Sequence, residues 1–336
     1  PTIVTNLLGT DLSFKKQRLT NGNVKLQGEA QIVDGVPIIK QLNTQVGDNN
    51  FIIKGRASSP FDLTWDIDGK NLAQIMPEMA GSLLVKGKLQ GTIDKPIIDA
   101  KGTAKNLKYQ SFSLGAADIS ASTNNGFYKI NADLSKLKNE DQKVDSAKAE
   151  LNGTIENHAI TATVKHTEGD LNLQANGGWK NQRWSGILKT LKLNDTKAGD
   201  WQLQKPSKIS LSKDGFDADN FCMKSDKTQA CSTASYSKSK GLIAKGTLQK
   251  TPLKLLKPLL PEGMTLNGDI EGNYDIKQNG GKPTGKINFK LPKSSFSIIN
   301  QDGEEETFSY ENAEVNATIN DKIVNAEATA NIIARD

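Results

Sequence analysis

Residues 71–99 read NLAQIMPEMAGSLLVKGKLQGTIDKPIID, and residues 253–285 read LKLLKPLLPEGMTLNGDIEGNYDIKQNGGKPTG. The two stretches share one ordered pattern. Each opens on a short apolar run, Leu72, Ile75 and Met76 in the first and Leu255, Leu256, Leu259 and Leu260 in the second. A Pro-Glu pair follows (Pro77-Glu78; Pro261-Glu262), then a turn glycine (Gly81; Gly263). A strand pattern with two glycines comes next, Gly87 and Gly91 or Gly268 and Gly272, and a proline closes each copy, Pro96 and Pro283. Internal duplication of this kind means stacked units with a continuous surface, not one enzyme-like globule. The sequence therefore reads as a single elongated repeat array over 1–336, with repeat-like units near 71–114 and 253–298.

Outward from these stretches, apolar and polar residues alternate with few gaps, the signature of half-buried strands. Val24-Lys-Leu26, Leu63-Thr-Trp65-Asp-Ile67, Val85 to Ile93, Tyr128 to Leu134, Leu266 to Ile276 and Val324 to Ile332 all follow it. Turn signals rich in Asn, Asp and Gly separate them: Asn21-Gly22, Asp34-Gly35, Asn125-Gly126, Asn176-Gly177-Gly178, Asp214-Gly215, Asn279-Gly280-Gly281 and Asp302-Gly303. One strand and turn per roughly 11–12 residues gives on the order of 25–30 strands, and alternation implies antiparallel pairing. Helix is scarce. Thr251-Pro252 followed by Leu253, Leu256 and Leu260 reads as a short helix opening, and 71–79 reads the same way.

Each strand then has one apolar face, and no long amphipathic helix is available to cover it. A barrel of this size would turn its outside to lipid, which the Lys, Asn, Asp and Glu positions forbid. A two-sheet sandwich calls for heavier inward residues than these. The remaining solution is an all-β fold: a long, mostly antiparallel sheet curled into an open U-shaped apolar groove, with one or two short helices. Its small inward residues, such as Gly87, Gly91, Gly268 and Gly272, are expected to leave room inside. An apolar trough of that length exceeds what soluble monomers leave bare, so it implies a ligand. The candidate lining positions are Val24, Leu26, Leu63, Trp65, Ile67, Val85, Leu89, Ile93, Ile130, Leu134, Leu171, Leu173, Leu191, Leu193, Leu266, Ile270, Ile287, Phe289, Leu291, Val315, Ile319, Val324 and Ile332.

Composition narrows the classes of partner. The 336 residues carry 43 Lys and Arg against 38 Asp and Glu, a net +5 spread evenly, which argues against nucleic acid. Glu304-Glu305-Glu306 is the one compact charge run and reads as a solvated hairpin tip. No run of about 18 apolar residues exists to span a bilayer as a helix. The pattern continues to both ends, which reads as a piece of a longer protein.

Two cysteines, Cys222 and Cys231, suit a disulfide across a hairpin with Ser225-Asp226-Lys227 at the bend, and hence an oxidising compartment. Two buried free thiols are the alternative; a zinc site would lack further ligands, because His158 and His166 are distant. Those histidines read as exposed strand residues. Asp66/Asp68 and Asp217/Asp219 share strand faces in the manner of a calcium or glycosidic pair, but solvated alternation explains them equally. No nucleophile elbow, phosphate loop or HExxH motif is present, so no enzyme activity, cofactor or metal is assigned.

The stretch GWKNQRWSGILKTLKLNDTKAGDWQLQKPSKISLS (178–212) resembles the central region of the TamB family, through Arg183-Trp184, Gly186 and Trp201-x-Leu203. Residues 221–272, with the paired cysteines and Leu259-Leu260-Pro261-Glu262, resemble it too, and 77–91 is similar to the same element one repeat earlier. The Pro…Gly…Gly signature is shared with the wider AsmA-like superfamily. The resemblance implies a β-taco groove in the periplasm of a Gram-negative bacterium, within a protein anchored in the inner membrane and touching membranes at both ends. It implies phospholipid as cargo, a TamA-type outer-membrane barrel protein as partner through regions outside this chain, and a role in outer-membrane biogenesis. An alternative is a scaffold that assists outer-membrane β-barrel assembly by strand pairing at a sheet edge. A third, a carbohydrate-active or adhesive surface protein, would need clustered exposed aromatics and acids, and these are few.

Overall fold

The computed structural model describes residues 2–9, 13–14, 17–18, 23–140, 142–196, 199–253, 264–299 and 304–333, the first three segments by backbone alone. The chain is all-β. The strands are β1 (Thr2–Gly9), β2 (Ser13–Phe14), β3 (Gln17–Arg18), β4 (Val24–Val33), β5 (Val36–Val46), β6 (Asn49–Arg56), β7 (Phe61–Gly69), β8 (Met79–Gly91), β9 (Pro96–Tyr109), β10 (Phe112–Asn124), β11 (Phe127–Asn139), β12 (Gln142–Gly153), β13 (His158–His166) and β14 (Asp170–Lys180). They continue as β15 (Arg183–Asn194), β16 (Trp201–Leu203), β17 (Ser207–Ser212), β18 (Gly215–Ser225), β19 (Thr228–Ser237), β20 (Gly241–Pro252), β21 (Met264–Asn279), β22 (Lys282–Ile299), β23 (Glu305–Asn320) and β24 (Ile323–Ile333).

Two compact units divide the chain, Pro1–Asn172 and Leu173–Asp336. In unit 1, β1 pairs with β4, and β4 through β13 pair antiparallel in chain order. In unit 2, β15 pairs with β16 and β17, β16 and β17 both pair with β18, and β18 through β24 follow in order. β16 and β17 are one strand position interrupted at Gln204-Lys205-Pro206, where proline withholds a ladder donor. Simple meander connectivity follows from tight turns. Asp34-Gly35 and Asn125-Gly126 hold positive φ at both positions (50° and 77°; 49° and 77°), the geometry that matches strand twist.

The expected turn at Asn176-Gly177-Gly178 is not a turn. Those residues lie within β14, and the chain reverses at Asn181-Gln182 (φ 50° and 60°). Their glycines serve packing instead: a Cβ on Gly177 would lie 2.6 Å from Cζ2 of Trp184, whose ring occupies that space.

Among the described residues helix is limited to short 3₁₀ stretches. The first helix reduces to one 3₁₀ turn, Leu72–Gln74. Thr251-Pro252 end strand β20, and Leu253 directly after them is in 3₁₀ conformation. The leucine-rich stretch at 254–263 lies outside the described residues, as do the Asn21-Gly22 and Asp302-Gly303 turns. The 3₁₀ turn is held by Asn49, which is fully buried. Its Nδ2 donates to the carbonyls of Val46 (2.8 Å) and Asn71 (2.9 Å), and its Oδ1 accepts from the Asn71 N–H (2.8 Å). Gln74 adds a second tie, accepting from Asp48 N–H at 2.7 Å and donating to Asp48 Oδ2 at 3.0 Å. Side-chain bonds of this kind replace the ladder partners that a chain leaving a sheet gives up.

Candidate functional site

In unit 1 the pairing register assembles the apolar positions into rows that cross the sheet. The first row is Gly28–Leu42–Ile53–Trp65–Gly87–Ala100–Ala121–Ile130–Leu151–Ile160, one residue from each of β4 to β13 and none polar. A second row on the same face is Leu26–Thr44–Phe51–Ile67–Val85–Gly102–Ile119–Ala132–Ala149–Ala162. A third holds Val24–Val46 and, further on, Gly69–Leu83–Ala104–Ala117–Leu134–Ala147–Val164.

Burial differs between these rows. In the third, Val24, Val46, Ala104 and Ala117 are buried. In the second, Ile119 is 43% exposed, and in the first, Ile53 and Ile130 are 36% exposed. The face is deep along the third row and open at these points of the second and first; one row beyond the first, Thr123 and His158 are buried again.

The cause is a crease beside the third row. Gly81 in β8 (φ 101°), Asn106 in β9 (φ 51°) and Lys136 in β11 (φ 52°) break the strand conformation at neighbouring positions. Register shifts accompany them at Ala80/Ser82 and Val144/Ser146. Bulges bend a strand and sharpen its twist, so a line of them folds the sheet. Gly81 is needed at the fold, because a Cβ there would sit 2.5 Å from the Asn106 carbonyl oxygen. Across the crease, Leu107, Leu114 and Leu137 pack onto Leu83, Ala104, Ala117 and Leu134. The sheet thus supplies its own second layer at the crease.

Unit 2 repeats the arrangement within itself. Gly186–Ile209–Ala218–Ala234–Ala244–Ile276–Gly285–Ile319–Val324 forms a row through β15, β17 and β18 to β24. Its crease runs through Lys250 (φ 46°), Gly268 (φ 97°) and Asn312 (φ 53°), with register shifts at Leu248/Thr251, Gly268/Glu271 and Glu311/Glu314. There Leu253, Ile270, Leu291, Tyr310 and Ala313 form a buried cluster, flanked by Leu248, Leu266, Phe289, Phe296 and Val315. Phe296 also stacks on Phe308 with centroids 5.0 Å apart.

The inward glycines do not leave room, contrary to expectation. Gly87 faces Trp65, and a Cβ on it would lie 2.4 Å from Cζ2 of that indole. Gly246 faces Tyr274 in the same way, and the Tyr274 hydroxyl donates to Ser232 Oγ at 3.0 Å. Rings that lie flat across glycine keep the floor smooth while adding apolar area. The two duplicated glycine pairs are also not equivalent. Gly87 carries a ring, whereas Gly268, its counterpart in the pattern, forms the crease.

A family model described as TamB, N-terminal domain, matches residues 13–335. The chain belongs to the TamB family. The matched description is the N-terminal domain, where the sequence motifs alone point to the central region. No solved structure matches the chain. TamB-family membership sets the chain among envelope proteins of Gram-negative bacteria, in the area of translocation, assembly and lipid transport.

On the TamB-family apolar face the candidate lining residues fall as follows. Leu26, Trp65, Ile67, Val85, Ile130 and Leu134 occupy the rows of unit 1, Val24 is buried at their foot, and Leu63 faces Leu89 one row beyond the first. Ile93 is not on a strand: it lies in the β8–β9 turn, 78% exposed. Leu171 and Leu173 are half-buried on β14, as are Leu191 and Leu193 on β15. In unit 2, Ile270 and Leu291 are buried in the crease cluster, and Leu266, Ile287, Phe289, Val315 and Ile319 are half-buried. Val324 and Ile332, on β24, are 61% and 63% exposed. Composition reasoning missed Ile53, Ile119, Ala100 and Ala121, whose places in the rows come from register, which a sequence does not print.

The opposite face is polar and paired. Asp66–Lys86, Asp133–Lys148 and Lys245–Asp275 are facing cross-strand partners, each at 2.7 Å. Hydrogen bonds donated to Asp66, Asp133 and Asp214 hold Lys86, Lys148 and Lys238 above the usual lysine pKa. These pairs are exposed and screened, so they tune solubility and register more than stability. Asp66 and Asp217 are thereby engaged, the latter by Arg183, and no cluster of metal ligands exists among the described residues. His158 is buried, not exposed as expected, and donates Nδ1–H to the Thr154 carbonyl at 2.9 Å. Cys222 and Cys231 face each other across the β18–β19 hairpin and form a disulfide, with Cα atoms 4.0 Å apart.

Proposed function

We propose that the chain shields the acyl chains of phospholipid in its apolar groove during transfer between the inner and outer membranes, as a periplasmic segment of an inner-membrane-anchored protein. The observation that carries this reading is the set of apolar rows of unit 1, the first unbroken from β4 to β13, buried at the crease and open to solvent at Ile53, Ile119 and Ile130. A methylene group costs about 0.8 kcal/mol in water, so an acyl chain leaving a bilayer needs continuous apolar cover. Rows of aliphatic side chains, glycine and alanine provide that cover without a deep local well. No group in the rows is suited to hold a cargo by a specific charge. TamB-family membership supports the same reading, and with it a TamA-type outer-membrane barrel as partner and a part in outer-membrane biogenesis.

Mass spectrometry of solvent extracts from the purified chain, before and after incubation with phospholipid vesicles, is the direct test. Bound phospholipid is expected, and Ile119→Glu with Ile130→Glu should remove most of it. Asn131→Glu, next to Ile130 but on the polar face, should not. A chain that never carries lipid, or a polar-face variant as damaging as the row variant, defeats the proposal.

A further inference from the structure

Across β10 to β13 the apolar face of unit 1 is walled on both sides. An outer row, Thr123–Tyr128–Gly153–His158, takes one residue from each of these strands. Stepping two residues at a time toward the crease come the first row at Ala121–Ile130, the second at Ile119–Ala132 and the third at Ala117–Leu134. The two middle rows hold the exposed positions, Ile130 at 36% and Ile119 at 43%. Exposure falls to 6% at Thr123 and 4% at His158 on one side, and to 8% at Ala117 on the other. The packed leucines of the crease make one wall. The other wall is polar and pinned. Thr123 Oγ1 donates to the Pro96 carbonyl at 2.7 Å and accepts from the Ile98 N–H at 3.1 Å. His158 Nδ1 stands 2.9 Å from the Thr154 carbonyl, in a turn closed by the Thr154 N–H on the Asn157 carbonyl at 2.8 Å. Gly153 lies so close beneath that a Cβ on it would be 2.5 Å from His158 Cα. Buried polar groups with partners hold one arrangement, so the slot between the walls has a fixed width of two rows.

We infer that this slot seats one diacyl lipid at a time, one acyl chain along each open row, and excludes lipids with more than two chains. The inference rests on the acyl-shielding reading and narrows its cargo. Rows two residues apart are separated by about 7 Å. Carbon atoms in contact stand about 4 Å apart, so an extended hydrocarbon chain takes up one row and a second chain fits beside it on the other. A third chain would meet the pinned hydroxyl and imidazole on one side and the crease on the other. Its methylene groups would stay in water, which weighs against capture of the whole molecule. A single-chain lipid leaves one row bare, so it is admitted but gains less cover.

Native mass spectrometry of the 336-residue chain tests it, after incubation with vesicles containing equal amounts of phosphatidylethanolamine, its single-chain lyso form, four-chain cardiolipin and six-chain lipid A. Diacyl lipid is expected on the chain at least about tenfold above cardiolipin and lipid A. Ala121→Phe fills the first row and Ala132→Phe the second. Each should lower diacyl capture about tenfold and leave the lyso form within about twofold, with the circular dichroism spectrum unchanged. The two substitutions lie in different rows and the selectivity of the wild-type chain needs neither, so a variant that fails to fold leaves the test intact. Cardiolipin or lipid A captured as well as diacyl lipid overturns the slot and leaves acyl shielding standing. So does a filled row that costs diacyl and lyso lipid equally, or costs neither. A chain that takes up no lipid of any class defeats both readings.

Discussion

The indole of Trp65 lies across Gly87, its directly facing partner on the next strand, so closely that a methyl group on the glycine would stand 2.4 Å from ring carbon Cζ2. The ring cannot keep that place over any larger residue. Gly87→Val is expected to destabilise unit 1 by about 1–3 kcal/mol through overpacking, with a change in tryptophan emission. Replacing Trp65 by Leu in the same chain should recover part of the loss, a coupling that thermal melts of the four species would reveal. Strictly additive losses would show that the ring and the glycine do not compete for space.

The crease makes a different demand. Gly81 sits at φ 101°, where a side chain is strained and would also meet the Asn106 carbonyl. Gly81→Ala should cost about 1–3 kcal/mol in chemical denaturation, while Asn106→Gly, at φ 51°, should stay within about 1 kcal/mol of wild type. Equal sensitivity at the two sites would mean that the bend is set by something other than backbone conformation.

Much of this was legible from alternation alone. Val85 to Ile93 announces a strand with one apolar face, and Asp34-Gly35 announces its turn. The absence of a covering helix then forces the sheet to protect itself, and the curl follows. What alternation hides is register and exceptions to it. Asn106 and Lys136 stand at the inward step of Ala104 and Leu134, polar residues out of phase with the alternation, and they carry the crease because their neighbours break step together. Asn176-Gly177-Gly178 looks like a turn because turns and ring-covered strands both select glycine, and only the position of Trp184 separates the two. Ile93 extends a perfect alternation in the sequence, but the strand stops at Gly91 (φ 84°) and leaves it in a turn.

Asn49 makes the 3₁₀ turn at Leu72–Gln74 dependent on its amide. Asn49→Ala would strand the Asn71 N–H and carbonyl, groups it now satisfies at 2.8 and 2.9 Å, in a buried place. The expected loss is about 1–3 kcal/mol, concentrated locally. Hydrogen exchange should quicken across 71–79 before it quickens in β9 to β11. Uniform loosening of unit 1 would show instead that the amide holds the whole sheet.

The disulfide offers the cleanest separation of stability from function. Cys231 faces Thr247, and the row continues through Asn273 and Asn288, all on the side away from the apolar rows of unit 2. Closing a loop of about ten residues restricts the unfolded chain and should contribute about 2–3 kcal/mol. Reductant, or Cys222→Ser with Cys231→Ser, is therefore expected to lower the melting temperature by several degrees. Lipid capture at temperatures where the chain remains folded should be unchanged, because the bond touches neither floor nor rim of the groove. Capture lost on reduction, with the circular dichroism spectrum intact, would mean that the outward face controls the inward one and that the two sides of this sheet are not independent.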